Sequence, residues 1–327
     1  MSRGGVLLSA LLVTLASPAT WPLALGAFLV RGGIVLIALP IVVLPTPVGL
    51  GTAIAPTLSS VAFGTIPPEF VIASGAIAVG VFAWLVAGGW LAAALEAEAV
   101  RMVAGDEEVA GSGFEGTRAH VEPETIHLAP ATVAGRILVA RLMTYLPLGV
   151  VLALGSVRLV FLTYRELTVP GDVATPIALR VLRAAPEVVV AAVVAWMFAE
   201  IVGAVAARHI VLADAGVGSA LRTAARTTLR HPASVLARFW LPTVVLLAVL
   251  VPGARAAASA WEAVGAILGG TSDPFRVLVT VVAFVALWIV GLLLISVASA
   301  WRAAVWTVAE VTREGTFGGS IDRRPGH

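Results

Sequence analysis

The chain contains no cysteine, and it also lacks lysine, asparagine and glutamine. Without cysteine it can form no disulfide, no thiolate nucleophile and no cysteine metal site. Without lysine, all 21 positive charges are arginines. The formal net charge is only +2, so the sequence pI of 9.9 partly reflects how few side chains titrate near pH 10. The high pI therefore does not indicate a nucleic-acid partner, and we expect none.

Charge of either sign is also scarce, at 12% of the residues, whereas 59% are hydrophobic and the mean hydropathy is +1.01. Several of the six long apolar stretches exceed the roughly 20 residues that cross a bilayer as a helix, and none alternates like a membrane barrel strand. The sequence predicts an all-α polytopic transmembrane bundle, with a single domain over residues 1–327. The predicted spans are residues 21–44, 69–95, 137–164, 187–210, 235–251 and 277–301.

The distribution of arginines predicts the orientation of these spans. If the N-terminus is inside, the outer loops hold only Arg165, Arg180, Arg183, Arg255 and Arg276, and Arg31 and Arg158 lie within spans. The remaining arginines fall in inner segments. Because inner loops of membrane proteins carry the excess of positive charge, we expect a multi-pass protein of the cell membrane with both termini cytoplasmic. Tryptophans typical of membrane interfaces stand near the predicted ends: Trp21, Trp90, Trp240, Trp261, Trp301 and Trp306.

The first twenty residues resemble a signal peptide, since Arg3 precedes an apolar stretch from Val6 to Ala16. Pro18 and the lack of a small-x-small cleavage site argue against one, and we predict a short helix at the membrane surface. The sequence TLASPA at 14–19 resembles TLRHPA at 228–233. This similarity would mark a duplicated unit of surface helix plus span, or arise by chance.

The strongest local pattern lies at residues 213–231. With Asp214 as N-cap, Val217, Ala220, Leu221, Ala224 and Thr228 fall on one helix face and Arg222, Arg226 and Arg230 on the other. This predicts a cytoplasmic amphipathic surface helix. Two interpretations stay open: a connector that covers the bundle and has a solvated arginine stripe, or a helix whose arginines bind anionic lipid headgroups or an acidic partner segment.

The stretch RHIVLADAGV at 208–217, followed by Ala220-Leu221-Arg222 and Arg230-His231-Pro232, resembles the middle of poorly characterised six-span bacterial integral membrane proteins. These include the membrane domain attached to some glycerophosphodiester phosphodiesterases. The chain has Ala224 and Ala225 where that helix commonly carries a serine, and it has no phosphodiesterase domain. The resemblance therefore implies a fold and no activity.

Residues 96–130 are the largest polar segment, and we predict that they form a cytoplasmic acidic loop. The loop contains GSGFEG at 111–116, but a dinucleotide fingerprint needs a flanking strand and helix that do not fit here. A metal cluster could be formed from His120, Glu122, Glu124 and His127. Such a dimetal site needs a second carboxylate–histidine pair on another helix, and the chain has none. A solvated loop is favoured, and we expect no metal and no cofactor.

No sequence pattern indicates catalysis. The chain has no His-Glu-x-x-His, no G-x-S-x-G and no Gly-Lys-Ser/Thr motif. An enzyme would need chemistry outside these signatures, so a non-enzymatic protein is favoured.

Two embedded charges remain as a candidate site, because an ionisable residue inside a membrane is costly unless it is paired or hydrated. Arg31 and Glu200 each lie ten residues from the inner end of a span, and this equal depth predicts an intramembrane pair. If span one begins nearer Gly32, Arg31 lies at the headgroups, and Glu200 is protonated or pairs elsewhere, for instance with Arg141. We expect a lipid-interacting protein or an accessory subunit that contacts membrane lipids and other membrane protein subunits. The alternative is a small transporter or permease with a polar pathway near Arg31 and Glu200.

Overall fold

A computed structural model describes residues 3–38, 60, 64, 66–111, 131–168, 175, 177–270 and 273–318. All regular structure in these ranges is helical. Six of the helical segments are long and apolar enough to cross a membrane. The predicted all-α polytopic membrane fold is therefore confirmed. The six segments are Thr20–Ala38, Pro68–Gly105, Ala131–Glu166, Pro186–Leu212, Pro232–Gly270 and Pro274–Thr312.

The elements follow one another along the chain as α1 to α11. Two spans contain a π-helical turn, Leu29–Gly33 between α2 and α3 and Trp84–Gly88 between α4 and α5. The bounds are α1 Arg3–Ala16, α2 Thr20–Phe28, α3 Ile34–Ala38, α4 Pro68–Ala83, α5 Gly89–Gly111, α6 Ala131–Thr168, α7 Ile177–Ala184, α8 Pro186–Leu212, α9 Val217–Arg230, α10 Pro232–Gly270 and α11 Pro274–Gly318.

The helical form follows from the apolar surroundings, because a backbone inside lipid must satisfy its N–H and C=O groups within its own segment. Pro147 in α6 and Pro242 and Pro252 in α10 lie inside helices that continue past them. Most helices are longer than the predicted spans. The last one extends to Gly318.

The helices pack as two compact units, although one domain over 1–327 was expected. The first unit comprises Met1–Pro130 and Trp240–His327. In it, α1 packs on α5 and α11 through Val6, Ala10 and Val308, among others. A second apolar cluster joins α3, α10 and α11.

The second unit comprises Ala131–Phe239. Its framework is the pair α6 and α8, and the short helix α9 packs on both. In α8 the residues from Ile201 to Arg208 are all buried, whereas Val193 and Val194 nearer its start are exposed. The dense packing of this unit therefore lies in the C-terminal half of α8.

The predicted loop at 96–130 is wrong in its first part. Helix α5 continues to Gly111, and Glu96 and Glu98 are buried in it. Small apolar residues keep helical spacing there, so the helix continues to bury one face after the first acidic residue. Residues 112–130 lie outside the described residues, and so do most of GSGFEG and all four residues of the suggested metal cluster.

The two short helices α1 and α9 have the same local form. Each is 14 residues long and is followed, after a short break, by a helix that could span a membrane. The duplication that the similarity between 14–19 and 228–233 would mark stays a prediction.

Candidate functional site

Helix α9 has the two faces that the sequence predicted. Ala220 and Ala224 are buried, and Val217, Leu221 and Thr228 are half-buried beside them. Arg222, Arg226 and Arg230 are all exposed. Small residues on the packed face let α9 lie close to α8 and α6, and this contact turns the whole arginine stripe outwards. Leu229, at the edge of the stripe, is 79% exposed.

The turn before α9 differs from the prediction. Asp214 is not the N-cap, because α9 begins at Val217 with Gly216 before it and no side chain caps it. Asp214 instead has a φ of 47°, a left-handed conformation that aspartate tolerates better than most residues. Its carboxylate accepts a charge-assisted hydrogen bond from Arg136 of α6 at 2.5 Å. Arg136 also donates to the Asp214 and Ala215 carbonyls at 3.2 and 3.3 Å, so it holds the α8–α9 turn against α6.

A buried polar cluster joins α6 and α8. Arg141 Nη1 of α6 lies 4.0 Å from Glu200 Oε1 of α8, and these side chains are only 10% and 14% exposed. The Tyr145 hydroxyl donates a hydrogen bond to the same carboxylate oxygen. Arg208 is also buried, and its guanidinium donates to the Ala204 carbonyl one turn earlier at 3.0 Å. The cluster therefore compensates Glu200 with a cation and a hydroxyl donor.

Helix α8 accommodates this cluster through small residues. Ala199, Gly203 and Ala207 recur every four residues and are all buried. A Cβ at Gly203 would lie 2.8 Å from Arg141 Nη1, 3.0 Å from Arg141 Cδ and 3.2 Å from Thr144 Oγ1. Arg141 thus occupies the space that a side chain at position 203 would fill. Small residues at this spacing typically bring membrane helices into close contact.

The first unit contains an ion pair of its own. Arg31, in the π-helical turn between α2 and α3, donates to Glu96 Oε2 of α5. The next residue, Gly32, has a φ of 105° and interrupts the helix. Glycine suits this position because side chains rarely adopt such a backbone. The break and the ion pair therefore lie side by side in the first span.

The predicted pair of Arg31 with Glu200 is wrong, since the structure gives each charge another partner. Arg31 pairs with Glu96 in the first unit, and Glu200 with Arg141 and Tyr145 in the second. The Arg141 partner is the one expected in the alternative interpretation. Depth measured along the sequence cannot determine pairing, because pairing depends on which helices are neighbours and how each is rotated.

Sequence reasoning missed Glu96 and Tyr145. Glu96 was assigned to a loop, although Ala93, Ala97, Val100 and Ala104 have the spacing of one helix face and are all buried. That periodicity was the available signal. Tyr145 carried no signal of its own, because a single tyrosine in an apolar run does not reveal its hydrogen-bond partner.

The chemistry of these residues is that of ion pairing. The described ranges contain no group of three or more histidine, cysteine, aspartate or glutamate side chains that could hold a metal ion. A cavity of about 30 Å³ in the first unit is lined by apolar residues that include Ile37, Leu250, Trp288 and Ile295. Its lining contains no charged side chain.

Comparisons of the chain with protein-family models, with curated proteins and with solved structures find no match.

Proposed function

We propose that this chain is a non-enzymatic, lipid-interacting protein of the cell membrane, in which α9 lies on the cytoplasmic side and binds anionic lipid headgroups through Arg222, Arg226 and Arg230. The observation that supports it most is the orientation of α9, which buries its alanines and exposes all three arginines. This role suits a protein that acts alone on lipid or as an accessory subunit of a membrane complex.

The positive charge of the exposed face is complementary to an anionic membrane surface. A basic residue near an anionic membrane surface contributes about 1 kcal/mol, so three would contribute about 3 kcal/mol, or roughly a hundredfold in affinity. Leu229 beside the stripe is apolar and mostly exposed. A single exposed leucine is common on protein surfaces, so the three arginines carry the argument for lipid.

The transporter alternative depended on Arg31 and Glu200 lining one polar pathway. Each of these charges has an ion-pair partner within its own unit, which accounts for both without a pathway. These ion pairs remove the sequence argument for a polar pathway. The resemblance to the phosphodiesterase-associated membrane domain stays a prediction about fold family.

The lipid proposal predicts a preference for anionic lipid that depends on the three arginines. Because the chain has no cysteine, a Gly218→Cys variant carries a single fluorophore on the exposed side of α9. We expect the labelled full-length protein in detergent to bind phosphatidylglycerol in preference to phosphatidylcholine. Changing Arg222, Arg226 and Arg230 together to Gln should weaken binding about a hundredfold at low salt. Added salt should weaken the parent similarly.

The matched control replaces Arg165, Arg183 and Arg255, three exposed arginines outside α9, with Gln. It makes the same change in net charge, and we expect little loss of binding. Equal losses in both triple variants, or binding that ignores salt, would reject the α9 site. The full-length chain is needed because an isolated α9 peptide would expose the face that is buried here.

The orientation proposal predicts the sidedness of three positions. Reporter fusions after His327 and within Glu107–Thr117 should report cytoplasm, whereas a fusion near Asp172 should report the opposite side. The physical reason is the concentration of arginines in the segments assigned to the inside. Reversed sidedness at any of the three positions would contradict the arrangement.

A further inference from the structure

Helix α1 is apolar on two opposite faces. One face packs inside the first unit, where Val6, Ala10 and Val13 contact α5 and α11. The opposite face carries Leu8, Leu12 and Leu15, which are 59%, 59% and 53% exposed. At about 100° per residue these three side chains lie within roughly 60° of one another, so they form a leucine stripe.

The leucine stripe is too apolar to be a typical water-exposed surface. Residues 5–16 contain no charged side chain, whereas α9, a helix of the same length, exposes three arginines. Contiguous exposed apolar side chains mark a surface that another apolar phase covers. Scattered single leucines would need no explanation, but three on one face of a short helix do.

Two tryptophans indicate what that phase is. The Trp21 indole N–H donates to the Thr14 carbonyl at 2.8 Å, and the Trp301 indole N–H donates to the Leu7 carbonyl at 3.2 Å. Both tryptophans belong to helices that could span a membrane, and Trp21 is the second residue of its span. Tryptophan concentrates at the membrane–water interface. The two indoles therefore hold both halves of α1 at the level of the interface.

The connection to the first span gives the same position independently. Only residues 17–19 separate α1 from the span Thr20–Ala38. Thr20 Oγ1 donates to the Ser17 carbonyl at 2.8 Å, so the connection is hydrogen-bonded and short. A helix tied this closely to the start of a span cannot lie far above the lipid.

We propose that α1 is an interfacial helix whose leucine stripe, Leu8, Leu12 and Leu15, is buried among the acyl chains of the adjacent lipid leaflet. One face of α1 packs against α5 and α11, and the other contacts lipid. This inference does not rest on the role of α9, which is an electrostatic contact with headgroups.

The test uses the absence of native cysteine. Single variants Leu8→Cys, Leu12→Cys and Leu15→Cys carry a nitroxide label, and the full chain is reconstituted in phosphatidylcholine–phosphatidylglycerol vesicles. Power-saturation EPR then compares access of oxygen, which partitions into lipid, with access of a water-soluble nickel chelate. We expect oxygen access to exceed nickel access at all three positions.

Two glycines provide reference positions. A Cβ at either Gly75 in α4 or Gly218 in α9 would meet no heavy atom within 4 Å. Gly75→Cys should report lipid. Gly218→Cys, which lies beside the arginines of α9 at headgroup depth or in water, should show more nickel access than Gly75→Cys. Nickel access above oxygen access at the leucine stripe would overturn the proposal in favour of water. Low access to both reagents would overturn it in favour of a protein partner or a second copy of the chain.

A second measurement needs no substitution, in case a labelled variant fails to fold. A lipid-soluble diazirine is photolysed in vesicles that contain the unmodified chain, and labelled residues are located by mass spectrometry. We expect labelling at Leu8, Leu12 and Leu15 comparable to that of the exposed apolar residues of α4. Absence of label from all three leucines while α4 is labelled would contradict the proposal.

Discussion

Arg141→Leu and Glu200→Leu are each expected to destabilise the protein by roughly 3 to 5 kcal/mol, and the double variant should be more stable than either single variant. Either single change leaves a charged side chain in a site where both partners are less than 15% exposed. Removing both charges leaves neither uncompensated. The free energy of unfolding in mixed micelles, measured over the full double-mutant cycle, gives the coupling energy.

The same two helices supply the control for this cycle. Arg158 of α6 and Glu187 of α8 form an ion pair at 2.6 Å, but their side chains are 57% and 52% exposed. Ion pairs exposed to water are typically worth about 0 to 1 kcal/mol. Glu187 is the second residue of its span, so this pair lies at the end of α8, and its coupling energy should be well below that of the buried pair. Strictly additive losses for Arg141 and Glu200, or equal coupling energies in the two cycles, would show that burial does not set the energetics of the pair.

Gly203→Leu is expected to destabilise the protein by about 1 to 3 kcal/mol or more, because the added atoms would enter the space that Arg141 and Thr144 occupy. The Cβ alone would lie 2.8 Å from the Arg141 guanidinium, so either that group or the whole of α8 has to move. Movement of the guanidinium would also disturb its pairing with Glu200. Gly203→Ala should have a smaller effect in the same direction.

Gly149→Leu in α6 is the matched control, since Gly149 is exposed and a Cβ there would meet nothing within 4 Å. Replacing a helical glycine usually stabilises by about 0.5 to 1 kcal/mol, so this variant should be neutral or more stable. Thermal unfolding of both variants in one detergent compares them directly. Similar changes in thermal stability at the two glycines would show that the space beside Arg141 does not determine the cost of Gly203→Leu.

The spans and the two faces of α9 could be predicted because hydropathy and helical periodicity are local properties. The burial of Ala220 and Ala224 opposite the exposed Arg222 and Arg226 follows from spacing alone. The continuation of α5 past Glu96 could not be predicted from polarity, because a partner from elsewhere in the chain can compensate a buried glutamate. Here Arg31 supplies that partner from another helix.

The turn at Asp214 shows a second kind of error. Aspartate three residues before an apolar-periodic segment fits an N-cap, but the helix begins at Val217, and Arg136 takes the carboxylate instead. The competing interaction comes from α6, 78 residues earlier in the chain. The residues near Asp214 in the sequence therefore give no indication of this interaction.

From its sequence alone, this chain is a helical membrane protein with six apolar segments and a basic surface helix, because apolar length and helical spacing are properties of neighbouring residues. The tertiary structure decided the partners of the buried charges. Arg31 pairs with Glu96, and Glu200 pairs with Arg141 and Tyr145. An ion pair forms between side chains that packing brings within a few ångströms, and the packing and rotation of helices depend on contacts spread over the whole chain.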